Sequence, residues 1–114
     1  MRDNKERIKD ILEAIYQIEK YSSYGKDRFY QDELVQTWMV HHLEILGEAS
    51  RSLPPDFRKR FSNIPWSSIV GMRNILIHHY FDIALEIVWN VVSVDIPDLK
   101  MKITEILKEL EGGG

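Results

Sequence analysis

An arginine, two adjacent histidines and a tyrosine fall within the eight residues Arg73-Asn74-Ile75-Leu76-Ile77-His78-His79-Tyr80 of this 114-residue chain. A guanidinium holds phosphate oxygens through charge-assisted hydrogen bonds, and an imidazole takes or gives a proton near neutrality. These groups suit metal-independent cleavage of RNA. In that reaction a base removes the 2′-hydroxyl proton, an acid protonates the leaving 5′-oxygen, and a fixed cation stabilises the charged phosphorane. One histidine is too few for both proton transfers at once, whereas a dimer supplies two copies of His78 and two of Arg73.

Arg73 occupies a stripe otherwise built from Trp66, Ile69, Val70 and Ile77. A guanidinium placed there must find an anion or carry a large desolvation cost. Its plain structural reading is an ion pair with Glu48 or Asp82. His78, five positions on, points roughly 140° away from Arg73 on an ideal helix. The two converge if the helix ends near His78, if the arginine uses its long stem, or if each comes from a different protomer. Tyr80, seven positions from Arg73, points nearly the same way as the arginine. His79 competes with His78 for the proton-transfer role, and either histidine also fits the negative end of a helix dipole.

Two other groups carry charge at suggestive spacing. His41, Glu44 and Glu48 fall at i, i+3 and i+7, a spacing open to metal ligation, but the Glu-x-x-His element of di-iron bundles is missing. A solvated helix face is the preferred reading, with no metal and no cofactor expected, and Glu48 is assigned to pairing with Arg73 or positioning the site. Arg58-Lys59-Arg60 forms a basic cluster that could contact an RNA backbone, or simply be an exposed charged face. No glycine-rich phosphate loop, nucleophile elbow or zincin motif is present. No aromatic stacking platform is legible that would say which RNA is bound.

The elements that must position these residues read as helices. Ile8, Ile11, Leu12, Ile15 and Ile18 mark a first amphipathic helix, capped by Asp3 or Asn4. Ser22 to Gly25 breaks it, and a longer second helix carries Val35, Met39, His42, Leu46, Ala49 and Leu53, with Leu34, Trp38 and Ile45 widening its buried face. Pro54-Pro55 opens a short helix through Asp56 to Phe61, and Pro65 precedes the helix bearing Arg73. Asp82 can cap a fifth helix through Val92, although its Val and Ile content also suits a strand, and Pro97 suits the first turn of a last one. The expected fold is an all-α antiparallel bundle of five to six helices. Residues 1–111 would form one domain and 112–114 a flexible glycine tail.

Composition bounds the function. The 15 basic and 18 acidic residues give a formal charge of −3, which excludes a uniformly positive nucleic-acid binder and makes any anion site local. There is no cysteine, which removes disulfides and thiolate metal sites. No apolar run suggests a membrane span or leader, so a cytoplasmic location is expected. The apolar faces of the second and fourth helices look wider than a bundle of this size needs, which points to a homodimer.

Taken together, Arg73, His78 and Tyr80, with Leu46-Gly47-Glu48-Ala49 upstream, Ile64-Pro65-Trp66 and Met72-Arg73-Asn74 around the motif, and Phe81-Asp82 to Trp89 after it, resemble the HEPN-domain toxins of the HepT group. The resemblance covers nearly the whole chain. It implies a homodimeric helical bundle with its active site in the cleft between protomers, built from Arg73 and His78 of both chains, and a metal-independent endoribonuclease activity. It further implies a type VII-like toxin–antitoxin system. There a minimal nucleotidyltransferase antitoxin transfers AMP to the motif tyrosine, by position Tyr80, while Asn74 supports the motif by hydrogen bonding. His79 stands where many relatives carry a small or acidic residue. A second reading is a non-catalytic HEPN module that binds a nucleotidyltransferase or a nucleotide, and a third is a purely structural dimeric bundle.

Overall fold

The computed structural model describes residues 3–79 and 84–112. Within them the chain is all-helical, with no strand. Helix α1 (Asn4–Ser22) starts where the Asp3 carboxylate accepts the Glu6 backbone N–H at 2.8 Å, and its stripe Ile8, Ile11, Leu12, Ile15 and Ile18 is buried. α3 (Glu33–Arg51) and α7 (Ile96–Glu111) flank it. Contacts at both ends fix their directions. Arg7 donates to the Ser52 carbonyl and Trp38 to the Gln17 carbonyl, while Lys5 pairs with Glu111 and Lys100 with Glu19. Both α3 and α7 therefore run antiparallel to α1.

A short helix, α2 (Lys26–Gln31), lies in the connection that sequence periodicity leaves unassigned. Six residues with one buried side chain, Phe29, give no repeat to detect. Gly25, at φ +94°, turns the chain into it, a conformation that favours glycine. Asp32 ends α2 and caps α3 by accepting from Leu34 and Val35. A hydrogen bond from Arg28, aided by those backbone bonds and opposed by desolvation, holds the Asp32 carboxyl below its ordinary value.

The buried face of α3 differs from the expected one. Val35, Met39, Val40, Leu43, Leu46, Gly47 and Ser50 are buried, whereas Leu34 remains 81% exposed and Ile45 is also exposed. The cause is that α3 packs on two sides, against α1 and against α5 (Trp66–His79), so its covered strip turns toward Val40 and Gly47. α5 is covered less than expected, with Trp66 and Leu76 buried but Ile75 and Ile77 exposed. Before it, α4 (Pro55–Arg60) is short, with proline in its first turn, and the indole N–H of Trp66 reaches the Arg58 and Phe61 carbonyls at 3.1 Å.

After α6 (Leu85–Asn90), the helix does not stop before Pro97. A π-helical turn, Val91–Asp95, leads directly into α7. A proline lacks the N–H for the usual bond and its ring crowds the carbonyl four residues back, here that of Ser93. The wider π turn, in which Ile96 N–H bonds the Val91 carbonyl, passes this point without a break. The Asp82 cap, Tyr80, and the Gly113-Gly114 end of the tail lie outside the described residues. Gly112 closes α7 by bonding the Lys108 carbonyl at 2.7 Å. No described helix is long and apolar enough to cross a membrane.

Candidate active site

The site is built where α5 lies against α3, and Gly47 makes that approach close. A Cβ placed at Gly47 would collide with the Arg73 Cβ, lie 3.0 Å from its Cγ and 3.4 Å from the Ile69 carbonyl oxygen. With no side chain at residue 47, the stem of Arg73 lies directly on α3, and its side chain is only 17% exposed. In sequence Gly47 belongs to the Leu46-Gly47-Glu48-Ala49 element, and its role as the seat of Arg73 emerges only from the packing.

The guanidinium finds its anion one residue further along α3. Arg73 Nε lies 2.8 Å from Glu48 Oε2, with the oxygen off the N–H axis, so the contact is an ion pair rather than an aligned hydrogen bond. One terminal nitrogen donates to Asn74 Oδ1 at 2.8 Å. Glu48 also meets Arg51 through its other oxygen at 3.4 Å. Of the two carboxylates considered as partners, Glu48 is the one the structure supplies, while Asp82 lies outside the described residues. Glu48, Arg73 and Asn74 thus form one polar group. Two of the guanidinium's three nitrogens are engaged, which sets its orientation and leaves a terminal edge for a further anion.

His78 and His79 occupy the last turn of α5, both exposed. Among the described residues neither ring is a partner of Arg73. α5 ends at His79, one residue past His78, but both residues keep helical backbone, so the first route to convergence, a helix end near His78, does not by itself turn His78 toward Arg73. The second is restricted too, since the arginine stem is committed to α3. Among the described residues the contacts of the Arg73 guanidinium are to Glu48 and Asn74, and none is to His78.

The remaining candidates are placed as follows. Arg60 pairs with Glu109 at 3.7 Å and lies over the Phe61 ring, Arg58 is partly buried, and Lys59 is exposed. Arg58 and Lys59 border a groove shared with Ser67 and Ser68 at the start of α5. Among the described residues no three His, Asp or Glu side chains approach as a metal-binding group, and the Glu48 carboxylate is taken up by arginines.

His42, read from sequence only as part of a stripe, has its protonation altered by the fold. Its ring lies 4.6 Å from that of Trp38, and its buried Nδ1 has no hydrogen-bond partner. Burial, then the neighbouring His41, push its pKa below the ordinary 6.5, against an opposing pull from Glu13. The unfolded chain then binds this proton more readily than the folded one, so His42 costs no stability above pH 6.5 and destabilises the fold as pH falls below it. Thermal melts should show Tm dropping on that acid side, with the drop reduced in His42→Gln. An unchanged pH dependence in the variant would contradict the assignment.

A family described as "Ribonuclease HepT-like" matches residues 11–106. The chain is 38% identical over 108 residues to a "Probable ribonuclease HepT" of Thermococcus cleftensis, covering 94% of this chain and 98% of that protein. A Methanocaldococcus jannaschii protein named as a "Putative RNase" is 38% identical over 103 residues, covering 90% and 94% of the two chains. A larger protein of the same organism, named "Gamma-glutamylcyclotransferase and putative RNase", is 40% identical over 111 residues, covering 96% of this chain. The chain spans only 50% of that larger protein. No solved structure matches. With a family match over residues 11–106 and relatives that align along most of its length, this all-helical chain belongs to the HepT-like ribonuclease family.

Proposed function

We propose that this protein is a metal-independent endoribonuclease whose active site forms between two copies of the chain. The observation that carries this reading is the separation of Arg73 from His78 on a helix whose outer apolar side is uncovered. Arg73 is pinned to α3 by Glu48, His78 faces solvent, and Ile75 and Ile77 are exposed beside them. A twofold partner would cover these apolar residues and bring a second His78 and a second Arg73 to the cleft. Arg73 then binds and stabilises the phosphate, one His78 takes the 2′-hydroxyl proton, and the other protonates the leaving 5′-oxygen. Asn74 and Glu48 hold the guanidinium, His79 lines the same helix end, and Arg58, Lys59 and Arg60 guide the RNA backbone. The purified protein should cleave RNA in excess chelator, leaving cyclic phosphate and 5′-hydroxyl ends. Loss of cleavage in chelator would contradict the mechanism.

The proposal extends to regulation. The ribonuclease acts as the toxin of a type VII-like toxin–antitoxin pair in the cytoplasm, and a minimal nucleotidyltransferase silences it by transferring AMP to Tyr80. Added phosphate and bulk beside the RNA site would repel and block substrate. Mass spectrometry after co-expression with such a nucleotidyltransferase should find AMP on Tyr80, and a Tyr80→Phe chain should stay unmodified and active. Modification elsewhere, or none, would overturn this part. The second reading, a non-catalytic module that binds the nucleotidyltransferase or a nucleotide, predicts binding without cleavage.

A further inference from the structure

The end of α1 and the first half of α3 gather aromatic rings that are scattered in the sequence. Trp38 is fixed by donating its indole N–H to the Gln17 carbonyl at 2.6 Å. Tyr21 meets it edge-on, with ring centres 5.2 Å apart, and Tyr24 continues the row 6.0 Å from Tyr21. On the other side His42 lies 4.6 Å from Trp38, and His41 lies 5.0 Å from His42. Tyr24 is 62% exposed and His41 is exposed. Tyr21, Trp38 and His41 line a groove of about 400 Å³ together with Arg28 and Thr37.

Cations are interleaved with these rings. The Lys20 ammonium lies 5.9 Å from the centre of the Trp38 ring, and the Arg28 guanidinium 5.4 Å from that of Tyr24. Asp32 engages Nε of Arg28. Fixed aromatic faces alternating with positive groups are what a flexible, unpaired nucleic-acid strand requires, because any base can stack and each phosphate finds a cation nearby. A duplex offers no free base faces to such a row. A second copy of this chain is a poorer occupant, since a twofold contact would bring its Lys20 and Arg28 against the same cations.

The strip also runs toward the candidate active site. His41 and Glu48 are seven residues apart on α3, so they point within about 20° of each other and lie roughly 10 Å apart along the helix. About three nucleotides at the stacked spacing of about 3.4 Å cover that distance. Glu48 in turn holds Arg73.

We propose that Tyr21, Tyr24, Trp38 and His41 form a stacking strip for unpaired RNA bases, with Lys20 and Arg28 meeting the adjoining phosphates, that leads the strand to Arg73. This inference rests on the ribonuclease reading and adds to it a preference for single-stranded segments, with little base specificity.

The test uses full-length His78→Ala protein, which holds RNA without cutting it, and a short unpaired RNA oligonucleotide. Adding Tyr24→Ala and His41→Ala, both at exposed positions, should weaken its affinity about tenfold or more. Tyr16→Ala, an exposed tyrosine on α1 outside the strip, should not. In the otherwise unmodified enzyme the Tyr24→Ala, His41→Ala pair should lower kcat/KM chiefly through KM, and photo-crosslinks from a thiouridine-bearing strand should map to the strip. Unchanged affinity and KM, crosslinks elsewhere, or a change of oligomeric mass in the strip variants would overturn the proposal. If wild-type protein neither cleaves nor binds RNA, the ribonuclease reading itself falls. If it does both and the strip variants match it, only the strip falls.

Discussion

Replacing His78 with alanine should lower kcat/KM for RNA cleavage by about 10²–10⁴-fold, the range that a positioned acid or base contributes. His78 is exposed and makes no described contact with the core, so the loss should come without a change in fold or in stability beyond about 0.5 kcal/mol. In the two-chain site each substitution removes the acid and the base together, which places the effect toward the upper end. His79→Ala is the necessary companion, because both histidines occupy the last turn of α5 and both are exposed. A small effect at residue 79 beside a large one at residue 78 assigns the proton transfers. The reverse result would move them to His79, and full activity in a well-folded His78→Ala protein would remove the role altogether.

Gly47→Ala should be damaging for a different reason, since it touches no substrate. The new methyl would collide with the Arg73 Cβ and press on its Cγ, so α5 must move outward from α3. Overpacking of this kind costs about 1–3 kcal/mol, offset in part by the roughly 1 kcal/mol that alanine gains over glycine in a helix. The catalytic consequence is larger. Displacing Arg73 loosens its pairing with Glu48, and a shift of about 1 Å in a charge-stabilising group can cost about 10²-fold in rate. Gly71, on α5 itself, is the control. A Cβ there meets nothing within 4 Å, so Gly71→Ala should be neutral or slightly stabilising. Denaturant melts and steady-state kinetics on both variants separate the cases. A Gly47→Ala protein as active as wild type would show that Arg73 is not held by that seam.

Much of this architecture is legible in the sequence, and the parts that are not depend on tertiary packing, on hydrogen bonding or on elements too short to show a period. α1 declares itself because every apolar residue of its stripe is buried against a contiguous core. α3 is packed on two sides, so a single stripe drawn through Leu34 and Ile45 points between its real contacts, and both residues are left exposed. α2 is too short to show a period, and the passage through the π turn to Pro97 depends on hydrogen bonding that residue types do not encode. At the site, residue chemistry alone narrows the partner of Arg73 to two carboxylates, and packing brings Glu48 to it, while Asp82 lies outside the described residues. The aromatic strip is invisible in sequence because Tyr21, Tyr24, Trp38 and His41 come from different elements that only the α1–α3 packing brings together.

In the proposed reaction the RNA's own 2′-hydroxyl is the nucleophile, and His78 activates it opposite a phosphate held by Arg73. This is tested most directly with an RNA strand carrying one 2′-deoxy sugar immediately before a mapped cleavage position, treated with purified wild-type protein in excess chelator. Cleavage should stop at that position alone while neighbouring sites are still cut. Continued cleavage at the deoxy position would contradict it.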